Sequence, residues 1–252
     1  LRCCRNRKRL FPAKGAMSTR DDYPVNAANP KRSDRDPGGR RSVGRPPIPA
    51  ERIIATAMRI VDDGGAETLS MRTLAQRLNS STATLYRHFP NRASLIVDVI
   101  DRVLGEVELD TADMDTPWRQ ACRRLSHATF DALSRHRNVA PLLAEHPPIG
   151  PNAMALREHF FAVMLHHGFP PQPAAHSSVM LARYVLGFAT QLVAPPATMA
   201  QIFAALRGAD VASFPATASV AHLLPVPLQD SFAFGLETIL DGLGRLRDSQ
   251  GL

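Results

Sequence analysis

From residue 48 onward, apolar side chains recur every three or four positions, which is the spacing of one face of an α-helix. Ile53, Ala57 and Ile60 begin the first such series, and Gly64-Gly65 supplies a stop after it. The helical spacing continues towards the C-terminus, and no segment of useful length alternates between apolar and polar residues as a strand would. The sequence therefore predicts an all-α protein.

The expected helices begin at recognisable capping residues. Ser70, Ser81 and Asn91 each precede a helix as N-caps, and Asn79 is the residue of the intervening turn that best tolerates a left-handed backbone. The segment 174–193 is apolar nearly all round, as expected of a helix that is buried on several sides. The predicted helices span 51–64, 71–78, 82–88, 91–108, 117–137, 152–167, 174–193 and 228–246, with short segments near 139–145 and 198–207.

Charge divides the chain into unlike parts. Residues 1–47 hold 13 Lys and Arg against 4 Asp and Glu, whereas residues 48–252 hold 17 against 19. The basic segment also has many prolines and few large apolar side chains, so it cannot bury enough surface to offset its ordering entropy. We expect a disordered basic tail over 1–47, an N-terminal domain over 48–109 and a C-terminal domain over 110–252.

Composition excludes several classes of protein. No stretch of about 18 uninterrupted apolar residues is present, so we expect no membrane-spanning helix. Residues 1–16 lack the apolar core of a secretory signal, and Met17 is the expected natural start. Three cysteines give no plausible disulfide framework and favour a reducing compartment, so we expect a cytoplasmic protein.

Residues 70–88 have the proportions of a helix-turn-helix, with two short helices joined by a three-residue turn. Between Ser70 and Arg92 there are four Arg and no Asp or Glu, so positive charge is concentrated where DNA would lie. Short hydroxyl side chains permit close approach to base edges, and Arg can bridge guanine O6 and N7. The alternative is an ordinary bundle of short, capped helices. Leu85 and Phe89 would face inward, leaving Thr82, Thr84, Arg87 and His88 on the surface.

Three segments also carry a family resemblance. Ile53-Ile-Ala-Thr-Ala, Leu69-Ser-Met-Arg-Thr-Leu-Ala-Gln-Arg-Leu78 and Thr84-Leu-Tyr-Arg-His-Phe-Pro-Asn-Arg-Ala-Ser-Leu95 closely resemble the N-terminal domain of tetracycline-repressor-family regulators. The resemblance covers about residues 50–107 and implies a helix-turn-helix DNA-binding head in a bacterial transcriptional regulator.

The family's DNA contacts can be transferred position by position. The resemblance implies base contacts at Arg72, Thr82, Ala83, Thr84 and Arg87, and phosphate contacts at Met71, Tyr86, His88 and Arg92. The N-caps Ser70 and Ser81 are expected to bind phosphate as well, because free backbone N–H groups at helix N-termini favour anions. Met71 departs from the usual Ser or Thr, and Asn79-Ser80 departs from the usual Gly-Val of the turn.

The tail adds a second candidate DNA contact. Gly44-Arg45-Pro46 lies just before the first helix, and such a segment can lay Arg45 along a narrow A·T minor groove. The alternative is a solvated linker whose arginines add only nonspecific attraction.

The last helix resembles that of the tetracycline repressors themselves, over Ser231-Phe-Ala-Phe-Gly-Leu-Glu-Thr-Ile-Leu-Asp-Gly-Leu243. In that fold the penultimate long helix and the last helix pair with their copies as a four-helix bundle, which implies a homodimer. Its apolar face also favours a partner, although the face could instead be buried within its own monomer. The expected interface residues are Phe232, Gly235, Leu236, Ile239, Leu240, Gly242 and Leu243.

The helices over 117–137, 152–167 and 174–193 are expected to enclose an effector pocket for a hydrophobic or aromatic small molecule. The same side chains could simply be core. Leu143 stands where tetracycline repressors have a metal-chelating His, so magnesium–tetracycline is not the expected ligand. The candidate lining residues are Phe130, Leu133, Leu143, Phe160, Met164 and Met180.

The sequence gives little support for metal binding, oxidant sensing or catalysis. The nine His include no i, i+4 pair and no Cys/His cluster, so we expect no metal site and no cofactor. Cys122 could sense oxidants, but a lone helical Cys is usually a small buried hydrophobe. There is no nucleophile elbow, phosphate loop or dinucleotide fingerprint, so we expect no enzyme.

Two hypotheses follow for the function. The first is a ligand-responsive, dimeric transcriptional repressor that a small molecule releases from its DNA operator. The alternative is a nonspecific, architectural DNA binder driven by the Arg-rich tail. The expected partners are double-stranded operator DNA, an unknown effector and a second copy of the chain, with no membrane. A third possibility is a small-molecule-binding protein or enzyme with a vestigial head.

Overall fold

The computed structural model describes residues 47–193, 196–208, 210 and 212–249. Within these residues the regular structure is entirely helical, which confirms the predicted all-α class. Four short 3-10 segments link the α-helices, at Ala66–Thr68, Thr111–Met114, Thr190–Val193 and Ala221–Leu223. The α-helices are α1 (Ala50–Gly64), α2 (Met71–Arg77), α3 (Thr82–Tyr86), α4 (Arg92–Leu104), α5 (Trp118–Arg135), α6 (Leu142–Glu145), α7 (Pro151–His166), α8 (Pro171–Ala189), α9 (Pro196–Arg207), α10 (Pro215–Val220) and α11 (Leu228–Ser249).

The N-terminal helices are closed by the caps that the sequence predicts. The Ser70 hydroxyl accepts from the Thr73 N–H at 3.0 Å, and the Asn91 Oδ1 accepts from the Ser94 N–H at 2.8 Å. Each bond satisfies a backbone donor that has no partner inside its own helix. Asn79 adopts φ 49°, the left-handed conformation expected in the turn after α2. These local interactions separate α2 from α3 and fix where α4 begins.

Helices α1, α2, α3 and α4 pack into the N-terminal part of the fold. Their apolar faces meet in one core, in which Ile53, Leu74, Leu85 and Ile96 are fully buried. Leu85 and Phe89 therefore point inward, as their spacing predicts. Helix α4 also packs against α5, α6 and α7, so it belongs to both parts of the molecule.

Helices α5, α7, α8 and α11 form the C-terminal part, with α5 packed on α7, α8 and α11. Aromatic rings fill the junction between them. Phe232 of α11 stacks on Phe130 at a centroid distance of 4.3 Å, and Trp118 meets Phe169 edge-on at 5.0 Å. Gly168 ends α7 at φ 86°, a conformation that favours glycine, and so lets the chain reverse into α8.

Several predicted boundaries differ from the observed ones. Helix α3 ends at Tyr86 instead of His88, and α4 ends at Leu104, although Val107 beyond it is still buried. Between 194 and 226 the sequence predicts one short segment, near 198–207, which corresponds to α9, but the structure also contains α10. Pro215 opens α10 because its fixed φ and missing N–H suit the first helical position. A six-residue helix is too short to produce a readable apolar period.

Candidate DNA-binding face and effector cavity

The α2–turn–α3 segment presents one polar, solvent-facing surface. On α3, Thr82 and Ala83 are exposed and Thr84 is half-buried. Just after Thr84, Tyr86 has 53% of its surface exposed, an unusual position for a large aromatic side chain. Arg87 and His88 follow on the same exposed stretch. We call Thr82, Ala83, Thr84, Tyr86, Arg87, His88 and the neighbouring Arg72 the reading face.

At the start of each of the two helices, a capping serine is paired with the threonine three residues later. Ser81 accepts from the Thr84 N–H at 3.2 Å, and the two hydroxyl oxygens lie 3.0 Å apart. Ser70 and Thr73 repeat this arrangement at the start of α2, with hydroxyl oxygens 2.8 Å apart. Each threonine hydroxyl is therefore held in place by its capping serine. The Thr84 hydroxyl is therefore oriented by Ser81 within α3 itself.

The four arginines of this region divide into two pairs. Arg72 and Arg87 are exposed and make no hydrogen bond or ion pair with any residue that the structure describes. Arg77 instead lies 4.0 Å from the Asp63 carboxylate. Arg92 is engaged more fully, because its Nε donates to the Leu69 carbonyl at 2.7 Å and its Nη2 donates to the Ala66 carbonyl at 2.5 Å. Of these four arginines, Arg72 and Arg87 are the two without a partner among the described residues.

Two of the expected phosphate contacts are corrected by this geometry. Met71 is only 8% exposed and packs in the core, so its side chain does not reach a DNA surface. Arg92 is half-buried and uses its guanidinium to join α4 to the loop before α2. The motif could not reveal either role, since both depend on contacts with residues distant along α1–α4. Arg45 lies outside the described residues.

A cavity of about 500 Å³ lies between α4, α5, α7 and α8. This volume falls within the range of sites for drug-sized molecules. Of the six predicted pocket residues, Leu133, Leu143 and Phe160 line it. Aromatic and aliphatic side chains dominate the wall, and the polar lining residues are Thr129, Arg157, Ser178 and Arg183.

The other three predicted pocket residues are not part of this wall. Phe130 and Met164 are buried core residues, with Phe130 stacked on Phe232 and Met164 fully enclosed. Met180 lines a second cavity of about 390 Å³ on the other side of α8, together with Phe169 and Leu243. Phe130 and Met164 are buried whereas Met180 is 40% exposed, although all three lie at apolar positions of the helical pattern. Packing alone decides which apolar position meets a cavity and which meets a neighbouring helix.

The cavity is linked to the N-terminal helices through a buried carboxylate. Asp101 of α4 is 6% exposed, and it accepts hydrogen bonds from the backbone N–H groups of Asn152 at 3.2 Å and Ala153 at 2.9 Å. The Asp101 side chain thus caps the first turn of α7, whose dipole favours a negative charge there. Ala153 also lines the cavity. A displacement of α7 would therefore either break these hydrogen bonds or move α4 with it.

A second link joins the end of α5 to the end of α1. The Asn138 amide donates to the Val61 and Asp62 carbonyls at 3.1 and 2.9 Å. His136 lies between two carboxylates, with Nδ1 2.9 Å from Asp62 and Nε2 2.9 Å from Glu106. The Asn138 bonds satisfy two of the last carbonyls of α1, and together with the His136 contacts they fix the residues that follow α5 against α1.

Asp113 forms a buried ionic cluster with side chains of α5 and α7, two of the helices that line the cavity. Its carboxylate accepts from both sides of the Arg124 guanidinium, with Arg124 Nε at 2.9 Å, and lies 2.7 Å from His159 Nε2. Burial alone would raise the pKa of Asp113, but the hydrogen bonds from Arg124 and His159 outweigh it and hold the pKa below its ordinary value. The cluster ties α7 to α5 and to the 3-10 segment that carries Asp113.

Cys122 is unsuited to sensing oxidants. It is fully buried, 3.6 Å from the Met164 sulfur, and burial, assisted by the charge of Asp113, raises the pKa of its thiol to about 12. The thiolate is the reactive form, so this cysteine is inert near neutral pH.

The expected dimer face of α11 is instead largely buried within its own chain. Phe232, Leu236, Leu240 and Leu243 are each 5% exposed or less, in contact with α5 and α8. Gly235 faces inward too, because a Cβ there would collide with the Tyr184 hydroxyl. That hydroxyl donates to the Phe232 carbonyl at 2.7 Å. The alternative of a face buried within the monomer is therefore correct for these residues, while Ile239 is partly buried beside the core.

A different face of α11 is open to solvent. Phe234 has 78% of its surface exposed, and Thr238, Gly242 and Arg245 follow it at helical spacing. Among the described residues, no atom outside the local helix backbone would lie within 4 Å of a Cβ at Gly242, nor of one at Gly187 on α8. The apolar pattern alone did not reveal this face, because Phe234 interrupts the polar side of α11 as a single residue.

Two further structural observations concern other possible functions. None of the described helices combines the length and apolar character that a bilayer-spanning segment needs. Among the described residues, no three His, Cys, Asp or Glu side chains form a group that could hold a metal ion.

Comparison with known families covers both parts of the chain. The model described as "Bacterial regulatory proteins, tetR family" matches residues 53–99, and "Tetracyclin repressor-like, C-terminal domain" matches residues 110–247. The second match alone spans more than half of the chain. The protein belongs to the TetR family. It is a DNA-binding transcriptional regulator, as the helix-turn-helix motif indicates.

Individual TetR-family proteins are similar over most of the chain. The HTH-type transcriptional repressor DrrR1 of Streptomyces coeruleorubidus is 30% identical over 222 residues, which is 82% of each chain. The TetR-family protein ActR of Streptomyces coelicolor, solved with (S)-DNPA, is 30% identical with a TM-score of 0.71, covering 78% of this chain and 97% of its own. ActR solved with actinorhodin has 29% identity, a TM-score of 0.69 and the same coverage.

Proposed function

We propose that this TetR-family protein is a dimeric repressor that binds an operator through the reading face and leaves it when a small molecule enters the 500 Å³ cavity. The observation that carries the DNA-binding part is the division of the arginines. Arg72 and Arg87 are exposed without a partner among the described residues, beside short hydroxyl side chains on α3. A major-groove helix needs this combination of close approach and unpaired donors.

The reading face suggests a role for each residue. Arg72, Thr82, Ala83, Thr84 and Arg87 are proposed to contact base edges. Tyr86 and His88 are proposed to contact phosphates, as are the capped N-termini at Ser70 and Ser81, whose backbone N–H groups favour anions. Arg45, outside the described residues, is proposed to add a minor-groove contact.

The effector would act through the two links between the cavity and the N-terminal helices. A ligand that displaces α7 would disturb the Asp101 cap and so tilt α4, which carries α1–α3. A coupling of roughly 1–3 kcal/mol between the two sites is enough for regulation. DrrR1 is named a repressor, and ActR has been solved with small molecules, which supports both parts of this mechanism.

We propose that the dimer forms through α8 and α11, in the four-helix bundle expected of the family, but with the outward faces. Phe234 would be the apolar anchor of α11, and Gly242 and Gly187 would permit close helix approach. Two copies then supply two reading faces for two half-sites about one helical turn apart.

Fluorescence anisotropy tests the DNA-binding proposal. Labelled DNA from upstream of the protein's own gene is compared with scrambled DNA over about 50–200 mM salt. A preference of ~10³-fold or more that persists at the higher salt supports a specific regulator. Equal, steeply salt-dependent binding to both DNAs would support the architectural alternative, which the family membership does not favour.

Substitutions on α3 then separate base contacts from phosphate contacts. Thr84→Ala and Arg87→Ala should reduce the preference for the specific DNA by about 1–3 kcal/mol. Tyr86→Phe should weaken binding to the specific and the scrambled DNA by the same factor. If all three variants reduce specific and scrambled binding by the same factor, the assignment of base contacts is wrong.

The same proposal includes the absence of catalytic activity, the cellular location and the division into domains. The relatives are transcriptional regulators, and we propose that this chain likewise has no catalytic activity and acts in the cytoplasm, where its operator would be. The division into an N-terminal head over 48–109 and an effector and dimerisation domain over 110–252 is proposed on the same grounds.

A further inference from the structure

We infer that the effector is an aromatic organic anion whose negative group is bound by Arg183, with Arg157 as a second donor. This inference rests on the proposed function, because it concerns the ligand of the same cavity. It adds the ligand's charge and the residues that recognise it.

The charge of the cavity wall is the first argument. The lining residues of the cavity include Arg157 and Arg183 but no Asp or Glu. An opposite charge on the ligand would be attracted by both guanidinium groups, and a cationic ligand would be repelled by both. Both arginines lie on the solvent-exposed part of the cavity wall, so the wall favours a ligand whose negative group reaches that part.

The bonding state of the two arginines is the second argument. Arg183 makes no hydrogen bond or ion pair with any residue that the structure describes, so all its donors are available. Arg157 donates to the Met154 sulfur at 2.8 Å and to the Pro148 carbonyl at 3.3 Å. A thioether is a weak acceptor, and a carboxylate or sulfonate would be a much better partner for the same planar fork.

The remaining polar lining also suits an acceptor-bearing ligand. Thr129 already donates its hydroxyl to the Leu125 carbonyl at 2.7 Å. The Ser178 hydroxyl is buried and has no partner among the described groups, and an unsatisfied buried hydroxyl is costly. A ligand oxygen near Ser178 would satisfy it. The aromatic walls at Phe160 and Phe161 favour a flat ring system over an aliphatic chain.

A pair of fluorescent probes with one skeleton tests the inference. 1-Anilinonaphthalene-8-sulfonate carries a negative charge, and N-phenyl-1-naphthylamine is its neutral counterpart. Titration of each probe into the full chain is followed by fluorescence. Arg183→Gln should weaken binding of the anionic probe by about tenfold, as expected for the loss of a charge-assisted hydrogen bond, and should change binding of the neutral probe less than about twofold.

Two further variants serve as controls, one for the loss of an arginine elsewhere and one for the position of the probes. Arg207→Gln removes an exposed arginine of α9 that lines neither described cavity, and it should leave both affinities unchanged. Ala182→Trp adds bulk at an exposed position of the cavity wall, and it should reduce the binding of both probes.

The outcomes distinguish this inference from the proposed function. If Arg183→Gln affects both probes equally, or neither, the anionic class is wrong although the cavity can still be the effector site. If Ala182→Trp leaves both affinities unchanged, the probes bind elsewhere and the inference is wrong. Operator binding, measured separately by anisotropy, stands or falls independently of either result.

Discussion

Arg92 shows how one side chain can be reassigned by its contacts. In the motif it aligns with a phosphate-binding position, but in the structure its guanidinium donates to the Leu69 and Ala66 carbonyls. These bonds hold the start of α4 against the loop before α2. The same residue type at Arg72 has no such partner among the described residues. Two arginines of one motif therefore have different surroundings.

Arg92→Ala should lower the free energy of unfolding by about 2 kcal/mol, because two charge-assisted bonds to backbone carbonyls are lost. Urea denaturation measures this change. Arg72→Ala is the matched control and should change stability by less than about 0.5 kcal/mol while reducing the preference for specific DNA. A stable Arg92→Ala protein that has lost DNA binding would instead support the phosphate contact.

A second prediction about a single residue concerns the reactivity of Cys122. Because burial raises the pKa of its thiol to about 12, iodoacetamide at pH 7.5 should leave Cys122 unmodified in the folded protein and alkylate it after denaturation in guanidinium. Peptide mass spectrometry measures the alkylation of Cys122 in the folded and in the denatured protein. Rapid modification of Cys122 under native conditions would show that α5 opens readily and would restore the oxidant-sensing interpretation.

At the scale of the elements, polar side chains join helices that are far apart in sequence. Asp101 joins α4 to α7, Asn138 joins the α5 loop to α1, and Asp113 joins α5 and α7 to the 3-10 segment at 111–114. Each bond has a defined geometry, so the helices cannot slide past one another as a purely apolar interface would allow. In the proposed mechanism these bonds would transmit a shift of α7 to the N-terminal helices.

The Asp113 cluster makes stability depend on pH. Its folded pKa is held below the unfolded value of about 3.9, so the carboxylate stabilises the fold above that pH and the stabilisation is lost as pH falls through the folded pKa. Asp113→Asn should therefore lower the free energy of unfolding at pH 7. We expect about 2 kcal/mol, less than for a fully enclosed pair, because the Arg124 side chain is 36% exposed.

Denaturant midpoints at pH 7 and pH 3 check this prediction. The difference between Asp113→Asn and the unmodified protein should shrink at pH 3. Asp115→Asn, which replaces an exposed carboxylate two residues away, should have little effect at either pH. An Asp113→Asn deficit that is the same at both pH values would mean that packing, and not ionisation, explains the loss.

At the scale of the whole molecule, the two faces of α11 have different surroundings. The inner face completes the core of its own chain, with Phe232 stacked on Phe130 and Glu237 bound by Arg123 of α5. The outer face leaves Phe234 exposed beside open space at Gly242. A helix that is fixed on one side by its own chain is a rigid surface for a partner on the other.

Phe234→Asp should weaken dimerisation by roughly 100-fold or more, since a two-fold interface places the unpaired carboxylate at both copies of the anchor. Sedimentation equilibrium measures the association. Ile149→Asp, at an exposed apolar residue before α7, is the control and should leave the dimer intact. A Phe234→Asp protein that dimerises as tightly as the unmodified chain would place the interface elsewhere.

The sequence by itself determined the features that depend on neighbours along the chain. Helical spacing gave the all-α class, and local hydrogen bonds placed the caps Ser70, Ser81 and Asn91 and the turn at Asn79. The motif around Tyr86 indicated the family, because a helix-turn-helix is specified within about twenty residues.

Only the tertiary structure decided which faces meet. Phe130 and Met164 became core, Met180 faced a second cavity, and Phe232 and Gly235 turned towards their own chain. Helical period shows that a face is apolar but not what covers it. Arg183 and Phe234 gained their proposed roles because residues far away in sequence left them unpaired or exposed. Such roles depend on packing across the whole fold, which local pattern does not encode.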